Sequence, residues 1–563
     1  MVRLPLINRL LLSTPGLARL IAYQRSWLRG DVLAGITVAA YLIPQCMAYG
    51  ELAGVPPIAG LWAILFPMLL YALLGSSPQL SVGPESTTAV MTAAALAPWV
   101  SQDAQNYPTL AALLALLVGA VCCLGYATKL GFLADLLSRP ILIGYMVGIA
   151  ILMMVGQLDK ISGIPITGDS VLEEIWVFLS HLDQLHWPTL VLTTVVLFFL
   201  FGIQHWCSQA PGPLLAVLLA TLAVALLGLE QKGIIVVGPI PAGLPQLRNP
   251  VDPDLFSLQL LASAVGIALV GYSDTVLTAR AFESRDGYRV DANQELLALG
   301  IANLATGLTQ GFPISSSGSR TAIGDALGSK SQLFSLVSFG VVVLVLIFLR
   351  PLLSLFPKPA LGAIVIFAAT RLIDVSELMR LKRFGKNEFF LAIATTTGVI
   401  ATNILAGVTI AVSLSVIDLF ARVARPHAGV LGQVPGLTGL HNIGDWESAT
   451  TIPGLVVYRY DAPLCFANAE DFKQRAMAAV SAEQEPVQWF LLNAEAIIEI
   501  DLTAADALAE LQQKLAHQGI TFALARVKQK LYCQLQRAGL VQQIGPEHFY
   551  PTLPTAVAAF QRR

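Results

Sequence analysis

Two stretches place glycine, proline and clustered hydroxyls in the middle of long apolar runs. One is Gly75-Ser-Ser-Pro-Gln-Leu-Ser-Val-Gly-Pro84, followed by Glu85, Ser86 and Thr87; the other is Gln310-Gly-Phe-Pro-Ile-Ser-Ser-Ser-Gly-Ser319, followed by Arg320. Each reads as irregular chain leading into a half-helix, because proline and glycine break the apolar run just before it. The first turn of a helix carries unpaired N–H groups and the positive end of the helix dipole. Two such starts aimed at one point form a site for an anion. The residues at the starts suit that chemistry, with Gly83, Ser86 and Thr87 on one side and Ser315, Ser316, Ser317, Gly318 and Ser319 on the other. The competing reading is that the serines only cap a helix or let helices approach closely.

Ionisable and amide groups surround these stretches. Arg320 either raises the positive potential for a bound anion or pairs with an acid such as Asp274 for structure alone. Gln45 follows Pro44 in the first apolar run, and its amide faces a cavity together with Tyr49 or bonds a neighbouring helix. Glu85 lies at one half-helix start, while Asp274 and Thr278 are four residues apart on one helical face. A bare carboxylate repels an anion, so one of these acids is a candidate carrier of a coupled proton. Alternatively, Asp274 and Thr278 hold Na+, or Glu85 is merely favoured by the helix dipole.

The elements that position these groups follow from composition. The chain has 563 residues, 55% hydrophobic and 12% charged, about half the charge of a soluble protein, so most of its exterior requires lipid as solvent. Apolar length predicts fourteen membrane segments, at about 31–50, 56–75, 84–99, 108–128, 139–159, 187–206, 211–229, 256–279, 291–309, 316–328, 331–349, 352–372, 387–405 and 407–424. The two half-helices are the third and the tenth. About 230 residues separate them, as they do the first and eighth segments, which implies two repeats of seven spans in opposite orientations. Lys and Arg concentrate in alternate loops, including Lys129, Arg139, Arg280, Lys330, Arg371 and Arg380, and only Lys160, Lys232, Arg248, Arg350 and Lys358 fall in the others. By the positive-inside rule both termini are cytoplasmic. Residues 1–30 read as a cytoplasmic amphipathic segment, 31–425 as the membrane domain, 426–451 as a linker and 452–563 as a soluble domain.

In that last region Leu455–Tyr460, Trp489–Asn493 and Thr521–Ala525 read as strands, alternating with helices over 469–482 and 504–518, an α/β sandwich. A net charge of -2 without a basic face excludes nucleic acid. No cofactor motif is evident, and Gly324–Ser331 lacks the Gly-Lys step of a phosphate-binding loop. Six cysteines without a CxxC pair indicate no zinc site, and His181 with His186 is a weak metal signal against a solvated pair.

With these residues in view, the chain resembles the SulP family of inorganic anion transporters over nearly its whole length. The matching motifs are Pro56-Pro-Ile-Ala-Gly-Leu-Trp62 running into Leu74–Pro84, Ser319-Arg320-Thr321-Ala322, Arg425–Gly432 with Val434-Pro-Gly436, Ile452-Pro-Gly-Leu455 and Asp461–Ala469. The resemblance implies an all-α membrane domain of fourteen segments, in a 7+7 inverted repeat with core and gate domains. It also implies an elevator-like movement, often a homodimer, and a C-terminal STAS domain. The anion is implied to sit between segments three and ten, near Gln45, Tyr49, Glu85, Ser317, Ser319 and Arg320. Many members have an uncharged residue where Glu85 stands, a departure that favours proton coupling. Ile500-Asp-Leu-Thr-Ala504 falls where STAS domains often carry an Asp-Ser-Ser-Gly phosphorylation loop; Leu502 and Ala504 break that pattern, leaving Thr503 as a weak phosphosite against a helix N-cap.

The expected function is secondary active transport of a small inorganic anion, sulfate or bicarbonate, across the inner membrane with H+ or Na+ as co-substrate. The rivals are a nucleobase or dicarboxylate symporter of the same architecture, of which the nucleobase family would not be expected to carry a STAS tail, and a membrane-tethered anion sensor whose STAS domain recruits a cytoplasmic protein.

Overall fold

The computed structural model describes residues 14–100, 106–135, 138–166, 171–207, 210–241, 243–251, 255–286, 288–402 and 404–562. The chain divides into two compact units, Met1–Ser415 and Val416–Arg563.

Each of the fourteen apolar segments forms a helix: α1 Leu28–Leu52, α2 Pro57–Leu74, α3 Ser86–Val100, α4 Tyr107–Ala127, α5 Arg139–Val155, α6 Trp187–Trp206, α7 Gly212–Leu227, α8 Leu258–Asp286, α9 Ala292–Leu308, α10 Gly318–Ala326, α11 Leu333–Phe348, α12 Lys358–Leu372, α13 Lys386–Ala401 and α14 Ile404–Ala424. Proline at the first or second helical position starts many of them, where its missing N–H costs nothing. Among the described residues, six helices are long and apolar enough to cross a bilayer by length and composition alone. Large apolar side chains such as Phe198, Leu226, Phe348 and Phe390 stand exposed on this unit, which only a lipid surround accommodates. Of the amphipathic segment expected over 1–30, residues 1–13 lie outside the described residues; Pro15–Ile21 is a short helix whose Gly16 abuts the backbone of Ala72 in α2.

The helices form two bundles. In one, α1 packs on α2 and α11, α9 on α2 and α4, and α8 on α4; in the other, α13 packs on α5, α6 on α12, and α12 on α5. These are the expected core and gate. The contacts come in repeat-related pairs: α4 on α9 is matched by α11 on α2, α1 on α11 by α8 on α4, and α5 on α13 by α12 on α6. Shifting each helix number by seven maps one set onto the other. Two strands, β1 Val82–Gly83 and β2 Ser315–Ser316, pair antiparallel in front of α3 and α10, so the half-helices begin from chain running in opposite directions.

Buried polar side chains replace the backbone bonds that the interrupted segments lack. The Asp31 carboxylate, at the start of α1, accepts from the Lys330 N–H at 2.7 Å and the Ser331 hydroxyl at 2.6 Å. Glu295, in the first turn of α9, accepts from the Ser76 N–H at 2.9 Å, the Ser76 hydroxyl at 2.7 Å and the Tyr71 hydroxyl at 2.9 Å. Gln332 donates to the carbonyls of Ser77 and Leu80, and Gln79 to the Asp325 carboxylate and the Ser329 carbonyl. The chain before α3 and the chain after α10 are thereby stitched together.

The second unit holds a six-stranded sheet of order β4-β3-β5-β6-β7-β8, with β3 Ala428–Gly432, β4 His441–Asn442, β5 Leu455–Tyr460, β6 Trp489–Asn493, β7 Thr521–Ala525 and β8 Phe549–Tyr550. Strands β5 to β8 are parallel, and β3 is antiparallel to β5 and β4. Helices α15 Ala469–Ser481, α16 Leu502–His517 and α17 Gln529–Arg537 cover one face, and the last helix, Leu553–Gln561, covers the other. The stretch expected as a linker, 426–451, is corrected here: it supplies β3 and β4, because β3 finds its partner β5 about 30 residues away. The cap of α16 is Asp501, which accepts from the Ala504 N–H at 2.8 Å; Thr503 is exposed one residue inside the helix, so it is not the N-cap.

Helix contacts in the core depend on absent side chains. A Cβ on Gly60 would lie 1.8 Å from the Cys46 carbonyl oxygen, whereas one on Gly340 would meet nothing within 4 Å. We expect Gly60→Ala to destabilise the purified protein by at least ~1–3 kcal/mol through overpacking and Gly340→Ala to be neutral, as read by thermal unfolding in detergent.

Candidate anion-binding site

The β1–β2 crossing brings the two interrupted segments together. The Ser317 N–H donates to the Ser81 carbonyl at 2.8 Å, extending the pairing to the first residues of α10. A Cβ on Gly83 would fall 2.6 Å from the Ile64 side chain, so glycine is required for this approach. Beyond the crossing lies a cavity of about 350 Å³, lined by Tyr41, Gln45, Tyr49, Glu85, Ser86, Thr87, Met146, Asp274, Thr278, Ser316, Ser317, Gly318, Ser319, Ala322, Ala368, Arg371 and Leu372.

Eleven of the fourteen residues named for the site therefore line one cavity; Gly83 and Ser315 pair with each other in the β1–β2 crossing instead, and the remaining exception is Arg320. It is fully buried behind the wall: its Nε donates to the Ser81 hydroxyl at 3.2 Å, and its Nη1 to Gln45 Oε1 at 3.1 Å and to the Pro84 carbonyl at 2.8 Å. The expected pairing with Asp274 is not made, and among the described residues Arg320 forms no ion pair; it does not line the cavity, and the other expected role, raising the potential for an anion, requires no contact. Arg320 works as a strut that satisfies the carbonyl just before α3 and fixes Gln45. Gln45 is consequently both things the sequence allowed, lining the cavity while bonding a neighbouring element; its Nε2 donates to the Tyr49 hydroxyl at 3.0 Å.

The two helix starts are not alike. At α3 the Glu85 carboxylate accepts from the Thr87 N–H at 2.6 Å and from the Ser86 hydroxyl, capping its own helix. At α10 the N–H groups of Gly318, Ser319 and Arg320 find no acceptor among the described residues, Gly318 is exposed to the cavity, and the hydroxyls of Ser317 and Ser319 stand 3.2 Å apart. Asp274 accepts from the Ser316 hydroxyl at 3.4 Å. One half of the site thus offers free donors, and the other carries a carboxylate. Neither His181 nor His186 belongs to it, each being bonded to backbone carbonyls elsewhere.

Six lining residues were not among those expected: Tyr41, Met146, Ala322, Ala368, Arg371 and Leu372. Tyr41 precedes Gln45 by four residues, as Gln45 precedes Tyr49, so the periodicity of α1 carried that signal. Met146 carries none. Arg371 stands at the end of an apolar span, where a cation reads as a topological anchor.

The family model described as the sulfate permease family matches residues 28–395, and the STAS domain model matches residues 448–556. The chain belongs to the sulfate permease family. A Mycobacterium tuberculosis relative named "Probable sulfate transporter" is 54% identical over 549 residues, covering 98% of each chain. The Arabidopsis thaliana protein "Sulfate transporter 4.1, chloroplastic" is 31% identical over 547 residues, 94% of this chain and 79% of the relative. The structure of the murine solute carrier 26 family member A9 anion transporter in the inward-facing state superposes with a TM-score of 0.91 at 22% identity, over 100% of this chain and 96% of that one. The transmembrane domain of a cyanobacterial bicarbonate transporter matches with a TM-score of 0.60 at 22% identity, over 70% of this chain and 98% of that one. These two structures bear on the fold, which is that of a polytopic sulfate permease family transporter with a C-terminal STAS domain.

The contrast between strut and lining is testable. We expect Arg320→Met to strand the Pro84 carbonyl and the Gln45 amide oxygen and to cost ~1–3 kcal/mol for each buried acceptor left unsatisfied. Ser319→Ala should stay within ~0.5 kcal/mol of the parent. Both are read from thermal unfolding of the purified chain.

Proposed function

We propose that this sulfate permease family member is a secondary active transporter of a small inorganic anion, with sulfate its cargo, and that the anion moves together with a proton held by Glu85 or Asp274. The observation that carries this reading is the cavity itself, lined by the free N–H groups and hydroxyls at the start of α10 together with two carboxylates, Glu85 at the start of α3 and Asp274 on α8 beside Ser316. Relatives that match the chain almost end to end are named as sulfate transporters.

Magnitudes favour the proton. At an effective dielectric of about 20, two unit charges about 5 Å apart repel by ~3 kcal/mol. One helix start returns only ~0.3–2 kcal/mol. An anion beside an ionised Glu85 or Asp274 is therefore bound poorly, and taking up a proton at either acid removes the penalty. Na+ held by Asp274 and Thr278 would act in the same direction. The anion contacts we assign are the α10 N–H groups with Ser317 and Ser319, while Gln45, Tyr49, Ser86, Thr87 and Ser316 complete the wall. Movement of the α1–α4 and α8–α11 bundle against the other, in the manner of an elevator, would carry the cavity across the membrane. The distribution of Lys and Arg supports an inner-membrane protein with both termini and the STAS domain in the cytoplasm, and we assign it a homodimeric state. Regulation through a protein bound to the STAS domain, or through Thr503, belongs to the same reading.

Purified chain in liposomes should take up labelled sulfate faster under an inward proton gradient. Bicarbonate, nitrate, dicarboxylates and imposed Na+ gradients complete the panel. Glu85→Gln or Asp274→Asn should remove most of the gradient stimulation, by roughly tenfold or more given the ~3 kcal/mol above. If both variants keep full gradient-driven uptake the coupling is wrong, and binding without flux would favour a sensor.

A further inference from the structure

A second cavity, of about 210 Å³, adjoins the central one and shares Tyr41, Ser319, Ala322 and Arg371 with it. Its remaining walls come from α6, α7, α10 and α12, through Gln204, Gly212, Ile323, Phe367 and their neighbours. No carboxylate lines it, while two line the central cavity. Arg371 is the one lysine or arginine that lines either cavity.

The state of Arg371 sets it apart. Other arginines of the same unit are paired: Arg139 and Arg380 both with Glu377, at 3.0 and 3.2 Å. The Arg371 guanidinium has no carboxylate partner among the described residues. It lies 5.9 Å from the Phe367 ring and reaches Gln204 Oε1 at 3.5 Å. Both neighbours leave its charge uncompensated, since an aromatic face and an amide oxygen orient a guanidinium without neutralising it. Arg371 is thus an exposed cation standing where a carboxylate-free recess meets the central cavity, and it lines both.

We propose that Arg371, positioned by Phe367 and Gln204, forms a second anion station with Tyr41 and Ser319, where an inorganic oxyanion is held before it passes to or from the central cavity. The fork of guanidinium donors suits a tetrahedral oxyanion, and the Ser319 hydroxyl, common to both cavities, can donate to the anion in either station as it passes. This rests on the transport reading above for its purpose but not for its chemistry, which is binding.

The test uses labelled sulfate as the probe, with equilibrium binding to the purified full-length chain and flux in liposomes measured on the same preparations. Arg371→Gln should weaken binding about tenfold and Arg371→Lys only about two- to threefold, in line with the loss of a charge-assisted contact. Both variants should unfold at the parent temperature. With Arg371→Cys, a thiol reagent that installs an ammonium should recover affinity, and one that installs a sulfonate should lower it further. Equal affinity for the parent and Arg371→Gln, recovery with either reagent alike, or no sulfate binding by the parent would overturn the station. Sulfate binding that depends on Arg371 without any flux would leave the station standing and sink the transport reading instead.

Discussion

Broken chain at membrane depth must have every backbone group answered by protein, because lipid answers none. Here the answer is the antiparallel crossing of Val82–Gly83 with Ser315–Ser316, held by Arg320. Asp31 and Glu295 repeat the solution in the flanking chain, after α10 and before α3, where each carboxylate gathers several donors from a loop that would otherwise leave them unanswered. The cavity exists because this scaffolding lets two helices begin in the middle of the unit instead of at its surface.

The same constraint explains how charge is distributed. The guanidinium that sequence reasoning would aim at the substrate turns instead onto Ser81, Gln45 and the Pro84 carbonyl, so the lining itself holds two acids and one cation, Arg371. The start of α10 then offers only N–H groups and hydroxyls, which are weak singly and sensitive to any neighbouring charge. A site of this composition is easily switched by a proton, which an arginine-lined pocket would not be.

Much of this was readable from residues, and the failures have physical causes. Glycine, proline and serine punctuation located both half-helices, since few other residue types tolerate interrupted backbone in an apolar run. Fourteen apolar lengths gave fourteen helices. Arg320 was singled out by the cost of burying it, yet residue type says nothing about which way a buried side chain turns; that depended on the Pro84 carbonyl, which only the crossing brings within reach. Arg371 was hidden because a cation ending a span has two uses with the same sequence signature. Ala428–Gly432 was read as linker since its glycines are poor strand formers, and its pairing with Leu455–Tyr460 is a non-local contact that propensity does not see.

Glu85 capping its own helix has a wider consequence. The frame is nearly two-fold, yet its halves differ in polarity, with an acid seated at one helix start and bare amides at the other. On the proposed reading, a proton held at Glu85 and an anion held at α10 would not compete for a common seat. What makes that separation available is a single residue, present in one repeat and missing from its mate.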